Sequence, residues 1–263
     1  PMGPEPQLAD YTTTSPYTEG FDYLAEGEQL TLTYTISVSD GTATSTHDVV
    51  VTVTGTNDVP AIGGVNASDV TEDTAVASDL ISTQGQLSIA DADHDQSNFA
   101  AQASYAGTYG TFTLAADGTW TYSADNTQAA IQQLGADETL TDSFTATSSD
   151  GTASQLVTVT INGSNDVPTI GGVHTSSVTE DADVSEGLLN AQGQLTIDDT
   201  DQGQANFAAQ ASYAGTYGTF TLAADGTWTY SADNTQAAIQ QLGSGESLTD
   251  SFTATSSDGT ASQ

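Results

Sequence analysis

The chain has 263 residues, with 35 Asp plus Glu and no Lys or Arg, for a formal charge of −35; ordinary usage would supply about thirty basic residues. That balance makes nucleic acid and anionic membrane surfaces poor partners, and such self-repulsion opposes compaction unless cations from solution screen or bind it. Cys is absent, which removes disulfides and thiolate metal sites. No apolar run reaches membrane-spanning length and no signal peptide is visible, so any secretion signal is expected outside this chain. Apolar residues make up 36% of the chain and alternate with polar ones, with Trp, Tyr and Phe among them, which predicts folded domains rather than acidic disorder.

A long repeat governs the organisation. Asn57 recurs as Asn165, Asp93 as Asp201 and Trp120 as Trp228, each 108 residues on, and Asn98 to Gly135 returns unchanged at Asn206 to Gly243. A period of this length matches one small domain rather than a solenoid repeat. The expected division is a partial repeat over residues 1–56, a complete one over 57–164 and a third over 165–263.

Taken in order, Pro1 to Gly20 is polar, Thr-rich and without period, and reads as loosely ordered. Leu30 to Gly41 and Asp48 to Thr54 read as the last two strands of a repeat, which cannot bury a core alone. Then comes a stiff joint, Gly55-Thr56-Asn57-Asp58-Val59-Pro60, repeated as Gly163-Ser164-Asn165-Asp166-Val167-Pro168. Asn-Asp supplies side-chain oxygens and tolerates turn geometry, and Pro fixes φ and stops the strand before it. In the complete repeat, strands are predicted at Val65 to Thr71, Gly85 to Ala90 and Gln102 to Tyr105. A hairpin follows, from Gly110 to Ala115 and Thr119 to Ser123, around Asp117-Gly118. Phe112 and Leu114 share one face, as do Trp120 and Tyr122, with Thr on the other, the period of a half-buried strand. Asp125 or Asn126 is expected to cap a short helix that buries Ile131 and Leu134 and ends at Gly135. Two long strands with Asp150-Gly151 in their turn complete the repeat. About seven strands in roughly a hundred residues predict an all-β protein: tandem immunoglobulin-like antiparallel β-sandwich repeats, each with one short helix. By the same offset, the third repeat stops before the counterpart of Leu156 to Ile161, its last strand.

Acids accompany each joint at fixed distances. Thr71-Glu72-Asp73 returns as Thr179-Glu180-Asp181, and Asp91-Ala-Asp93 as Asp199-Thr-Asp201. Ca²⁺ takes six to eight oxygen ligands, whereas Mg²⁺ keeps its waters and demands a strict octahedron; zinc is disfavoured without Cys or paired His. If strands run alternately down and up, the Asp91–Asp93 loop lies beside Asn57 and Asp58, while Glu72 lies at the far end, near the next joint. The expected sites are therefore Glu72, Asn165, Asp166, Asp199 and Asp201 at one joint, and Asn57, Asp58, Asp91 and Asp93 at the other, where the Glu would come from the missing part of the first repeat. Glu180 is the corresponding candidate at the far end of the third repeat. Solvated acidic loops are the plain alternative.

These motifs resemble the VCBS-type repeats of giant bacterial surface and RTX adhesins, and more loosely cadherin repeats. The resemblance rests on Phe21 to Glu28, Gly55 to Pro60, Val70 to Asp73, Tyr109 to Phe112, Asp117 to Tyr122 and Leu140 to Phe144, and covers nearly everything after residue 20. It implies cadherin-like, calcium-stabilised β-sandwiches that extend a terminal binding domain from a bacterial cell surface or biofilm. Cadherins place a Glu, an Asp-x-Asn-Asp joint and an Asp-x-Asp loop around calcium between repeats; here Gly55 and Gly163 stand where that first Asp would fall. No RTX nonapeptide array is present.

An enzyme is not expected: the acids recur at joints, no carboxylate pair is set apart as in a glycosidase, and there is no Gly-x-Ser-x-Gly elbow or phosphate-cradling loop. His47, His94 and His174 read as surface residues. Trp120 and Trp228 could form sugar-stacking platforms, but their parity with Tyr122 and Tyr230 points to the core. The partners expected are neighbouring repeats and calcium, without membrane insertion. A further alternative is a head-to-tail filament in which the strand Asp48 to Thr54 of one molecule completes the last repeat of another.

Overall fold

A computed structural model describes residues 20–263. The expectation for Pro1 to Gly20 therefore falls, apart from Gly20 itself, outside the described residues. The chain is nearly all β. After a single 3₁₀ turn, Phe21–Tyr23, come β1 (Gln29–Ser39), β2 (Thr44–Thr54), β3 (Ala61–Gly64), β4 (Ala67–Thr71), β5 (Leu80–Ala90), β6 (Gln102–Ala106), β7 (Gly110–Leu114), β8 (Thr119–Asp125), the one-turn helix α1 (Ala129–Gln132), β9 (Thr139–Thr147) and β10 (Ser154–Asn162). The third repeat gives β11 (Thr169–Gly172), β12 (Leu188–Asp198), β13 (Gln210–Ala214), β14 (Gly218–Leu222), β15 (Thr227–Asp233) and α2 (Ala237–Gln240). Among the described residues, strands β1 and β2 form a two-stranded sheet of their own. The middle repeat has a five-stranded sheet, β3-β5-β8-β7-β6, and a three-stranded one, β4-β10-β9; the third repeat has the matching five-stranded sheet, β11-β12-β15-β14-β13.

The chain forms two compact units whose boundary runs through the middle repeat. One takes the chain through Ser68, Gln84–Tyr122 and Ser143–Thr158; the other takes Asp69–Thr83, Ser123–Asp142 and Val159–Gln263.

In the first unit, β1 and β2 pair antiparallel from Gln29↔Thr54 to Ser39↔Thr44, because Thr alternates with apolar residues and Asp40 closes the turn by accepting the N–H groups of Thr42 and Ala43. Both strands are almost wholly exposed. The core of this unit is aromatic. Phe112 stacks at 4.6 Å from Tyr122 and 4.8 Å from Phe144, over Leu87, Phe99 and Leu114. Trp120 is 0% exposed, and its Nε1–H donates to the carbonyl of Val65 at 2.8 Å, as a buried indole requires. Gly85 is obligatory beneath it: a Cβ there would fall 2.5 Å from the ring.

In the second unit, Val70, Ile81, Ile131, Leu134, Val159 and Ile161 are buried at one end. The third repeat has its own core of Leu195, Phe207, Leu222, Trp228 and Ala254, with Leu189, Ala232 and Ile239 beside it. Trp228 is 5% exposed, so neither tryptophan presents a sugar platform. Residues 175–179 and 247–254, within the counterparts of β4 and β9, form no strand; Thr255 and Ser262 form an isolated bridge, and Ala254 and Gln263 exchange backbone hydrogen bonds beside it.

Two local expectations need correction. The strand predicted at Val65 to Thr71 is β4, starting at Ala67, but a further short strand that was not predicted, β3, precedes it and joins a different sheet. Gly64, at φ +91°, turns the chain between them, a conformation that glycine adopts without steric cost. The helix is not capped by Asp125 or Asn126. Its N-cap is Gln128, without a side-chain cap; Asp125 instead accepts the N–H of Thr127 at 2.8 Å, while Asn126 bonds to Asp73.

Candidate metal centre

Each joint lies wholly within one compact unit. At the first, the N–H of Asp58 donates to Asp93 Oδ2 at 2.9 Å, and the N–H of Asp93 donates back to Asp91 Oδ1 at 3.0 Å. Asn57 Nδ2 donates to the carbonyl of Asp58 at 2.6 Å and to Asp150 Oδ2 at 3.2 Å. The second joint repeats this wiring. Asp166 N–H reaches Asp201 Oδ2 at 3.0 Å, Asp201 N–H reaches Asp199 Oδ1 at 3.0 Å, and Asn165 Nδ2 reaches Asp166 O at 2.6 Å and Asp258 Oδ2 at 3.1 Å. These bonds occupy one oxygen of each aspartate in the Asp-x-Asp loop and leave the other free.

The end of the preceding repeat supplies the rest. Glu72 is 1% exposed; its Oε1 accepts the N–H of Ser164 at 3.0 Å, and its own N–H donates to the carbonyl of Asn162. Gly163 N–H donates to Glu138 O, and Gln202 N–H to Gln133 O, so the joint is also held by backbone. The first joint has the matching bonds, Gly55 N–H to Glu28 O and His94 N–H to Tyr23 O. Among the described residues it has no counterpart of Glu72.

Gathering carboxylates in this way shifts their protonation. Burial pushes the Glu72 carboxyl up to about 7; the Ser164 hydrogen bond opposes this, and the charges of Asp73, Asp166 and Asp201 add to it. Burial also raises Asp166 and Asp201, with help from the charge of Asp199 on both. Asp150 goes the other way: burial would raise it, but hydrogen bonds from Ser148, Thr152 and Asn57 hold it at about 2. Asp258 is likewise held low.

Among the described residues, no group of three or more His, Cys, Asp or Glu side chains converges closely enough to hold a metal ion. What the joints contain instead is unsatisfied oxygen. Seven side-chain atoms among the described residues are sealed from solvent without a hydrogen-bond partner: Glu72 Oε2, Asp91 Oδ2, Asp93 Oδ1, Gln96 Oε1, Glu180 Oε2, Asp199 Oδ2 and Asp201 Oδ1. Six are carboxylate oxygens of residues predicted as ligands. Such orphans are rare in folded proteins and costly when charged, and this chain has no Lys or Arg to pair them. All are hard oxygen donors, which fits a hard divalent cation. Glu180 stands apart, at the far end of the third repeat.

Asp150, Asp258 and Asp73 were not among the predicted site residues. The first two read as Asp-Gly turn residues, a role they also fill; their signal was the recurrence of Ser-Ser-Asp-Gly at 148–151 and 256–259. The structure also accounts for glycine where cadherins have aspartate. A Cβ on Gly55 would run into the carbonyls of Leu24 and Ala25, and one on Gly163 into those of Leu134 and Gly135. No side chain fits at either position, so neither can supply a side-chain ligand.

The chain belongs to the bacterial cadherin-like domain family, whose model matches residues 57–163 and again 165–263. No curated protein sequence matches it. Among solved structures it is similar to a protocadherin PcdhgB3 fragment of extracellular domains 1–4, at 15% identity over 87% of this chain and 53% of that one, with a TM-score of 0.44. The same region of protocadherin gamma B7 matches at 13% identity over 86% and 52%, with a TM-score of 0.41. Domains 4–9 of the surface layer protein SbsC match at 16% identity over 88% and 34%, with a TM-score of 0.27. The chain spans about half the length of the two protocadherin fragments. Among the described residues no helix is long and apolar enough to cross a membrane.

Proposed function

We propose that this chain is a calcium-rigidified spacer of an extracellular bacterial surface adhesin or biofilm protein, with no catalytic role of its own. The observation that carries this reading is the set of buried, partnerless carboxylate oxygens at both joints in a chain without a Lys or Arg. Glu72, Asn165, Asp166, Asp199 and Asp201 would hold calcium at the second joint, and Asn57, Asp58, Asp91 and Asp93 at the first, with Asp150 and Asp258 orienting the two asparagines. The repeats 57–164 and 165–263 are then the beads and the joints their hinges. A bound cation neutralises facing carboxylates that otherwise repel one another and restricts bending of the joint. Because it binds the ordered joint, it also raises stability by mass action. Carbonyl-rich, multi-carboxylate sites of extracellular modules bind calcium at roughly 10⁻⁴–10⁻³ M, which suits a surface location. The likeness to VCBS-type RTX adhesins belongs to this same proposal.

Isothermal titration tests the reading. Calcium should bind saturably, magnesium much more weakly, and Glu72→Gln should remove or weaken the binding at one joint. Equal heats for the two ions, unchanged by Glu72→Gln, would overturn it.

A further inference from the structure

One sealed oxygen at the first joint belongs to no predicted ligand. It is Oε1 of Gln96, among the described residues the one side-chain amide atom that is buried without a hydrogen-bond partner. An amide carbonyl left without a donor in a protein interior is costly, and the chain has no Lys or Arg to supply one. Gln96 sits on a tightly wound loop. Asp91 N–H donates to Ser97 Oγ at 3.0 Å, Asp93 N–H to Asp91 Oδ1 at 3.0 Å and Gln96 N–H to Asp93 O at 3.3 Å. The carbonyl of Gln96 accepts the N–H of Asn98 at 2.6 Å and the hydroxyl of Ser149 at 3.5 Å, which ties the loop to the turn whose Asp150 holds Asn57. These bonds occupy the backbone of Gln96 and leave its side-chain oxygen to another partner. Asp91 Oδ2 and Asp93 Oδ1, on the same loop, are sealed and partnerless as well, and Asp93 is 1% exposed.

The second joint winds its loop in the same way but disposes of its glutamine differently. Gln204 N–H donates to Asp201 O at 3.2 Å, and the carbonyl of Gln204 accepts Asn206 N–H at 2.6 Å and Ser257 Oγ at 3.3 Å. Asp199 Oδ2 and Asp201 Oδ1 are again sealed and partnerless, whereas Gln204 Oε1 is not. The cause lies at the end of the middle repeat. Gly135 leaves room for the Gln204 amide: a Cβ there would fall 2.3 Å from Nε2. The equivalent residue at the first joint is Ala25, fixed by the same bond to a glutamate, with Ala25 N–H to Glu28 Oε2 at 3.2 Å and Gly135 N–H to Glu138 Oε2 at 3.1 Å. The Ala25 methyl group takes that room, so Gln96 has to place its amide elsewhere.

We infer that Gln96 is a ligand of the cation at the first joint, supplying a neutral amide oxygen beside Asp91 and Asp93, and that Gln204 has no such role at the second. The inference rests on the calcium reading of the joints and adds a residue to it. Calcium fills six to eight positions and accepts amide carbonyls alongside carboxylates. A neutral donor fills one of those positions without adding to the repulsion among carboxylates, which matters in a chain of formal charge −35. Coordination also gives the sealed oxygen the partner that no donor in the loop provides. Magnesium keeps its waters and gains less from such a ligand, so Gln96 favours calcium over magnesium.

The test is a calcium titration of the isotope-labelled 263-residue chain followed by NMR, with the amides of Asp58 and Asp93 reporting the first joint and those of Asp166 and Asp201 the second. Gln96→Met keeps the length of the side chain and removes its oxygen. It should weaken calcium binding at the first joint about tenfold, equivalent to about 1.4 kcal/mol, and leave the second joint unchanged. Gln96→Glu keeps an oxygen and should bind at least as tightly as the parent chain. Gln204→Met should leave both joints unchanged. In EDTA, Gln96→Met should melt no lower than the parent, because an apolar group replaces an unpaired polar one. Parental affinity at the first joint in Gln96→Met would overturn the inference and leave the Gln96 oxygen to a water molecule. A loss that Gln96→Glu fails to restore, or an equal loss at the second joint in Gln204→Met, would overturn it too, since loop packing would then be the cause. A parent chain without saturable shifts at either joint would remove the calcium reading and this inference with it; saturable shifts in the parent that Gln96→Met leaves untouched would remove the inference alone.

Discussion

Glu72 Oε1 accepts a hydrogen bond from the backbone N–H of Ser164, 92 residues further along the chain, at 3.0 Å. The bond fixes one carboxylate oxygen of the middle repeat at the entrance to the next joint and leaves Oε2 buried beside the charge of Asp166 and Asp201.

Glu72→Gln keeps an acceptor for Ser164 and removes a charge. In EDTA its melting temperature should equal or exceed that of the parent chain, because the repulsion is gone. In calcium it should gain less, by an amount equivalent to about a tenfold loss of affinity at one joint, or about 1.4 kcal/mol. Differential scanning calorimetry in the two buffers measures both differences; equal calcium-induced gains in the two proteins would count against Glu72 as a ligand.

The pH dependence should invert with calcium. In the cation-free chain Glu72 has its folded value raised from 4.5 to about 7, so between these values the folded state holds a proton that the unfolded state releases. The stabilisation is full below the unfolded value and is lost as pH rises through about 7. Asp166 and Asp201, also raised, act in the same direction. Asp150 and Asp258, held low, act oppositely, but only at pH values below the ordinary aspartate range. Melting in EDTA should therefore be higher near pH 5 than near pH 8, whereas the increment due to calcium should grow with pH, since protons and the cation compete for the same oxygens.

Gly163→Asp restores the residue that cadherins carry at this position, yet it should not add a ligand. Its Cβ would collide with the carbonyls of Leu134 and Gly135, and backbone cannot yield as a flexible side-chain end can. Both Gly163→Asp and Gly163→Ala should lower stability and weaken calcium binding. Tighter binding in the aspartate variant would contradict the packing argument.

Trp120→Ala should cost about 3–5 kcal/mol, the range for removing a large buried aromatic, and leave the Val65 carbonyl without its donor. Chemical denaturation checks the magnitude. Loss of glycan binding with stability intact would instead mark the indole as a recognition surface.

Much of this was legible in the sequence because it is written at short range or by repetition. Alternation of Phe112 and Leu114, and of Trp120 and Tyr122, with threonine sets which face of the hairpin is buried, and Asp117-Gly118 sets its turn. The approach of Asp93 to Asp58, and of Glu72 to the next joint, follows from strand direction alone. What was illegible depends on distant partners. Asn126 is a good helix cap by type, but Asp73 takes it in a reciprocal pair, with Asn126 Nδ2 donating to Asp73 Oδ1 at 2.7 Å and Asp73 N–H donating to Asn126 Oδ1 at 3.2 Å. The break between β3 and β4 depends on which sheet each segment joins, a tertiary choice that the local pattern at 61–71 does not carry. Asp150 was hidden by its own turn: a residue that explains itself locally gives no sign of a second role.

On the proposed function, cations at the joints order this chain. The most direct test is small-angle scattering of the 263-residue protein in calcium and in EDTA at fixed ionic strength, with thermal unfolding on the same samples. A longer, stiffer particle and a higher melting temperature are expected in calcium only, with both effects reduced by Glu72→Gln. Superimposable scattering and melting curves in the two buffers would contradict it, and would reduce the joint carboxylates to a solvated acidic surface.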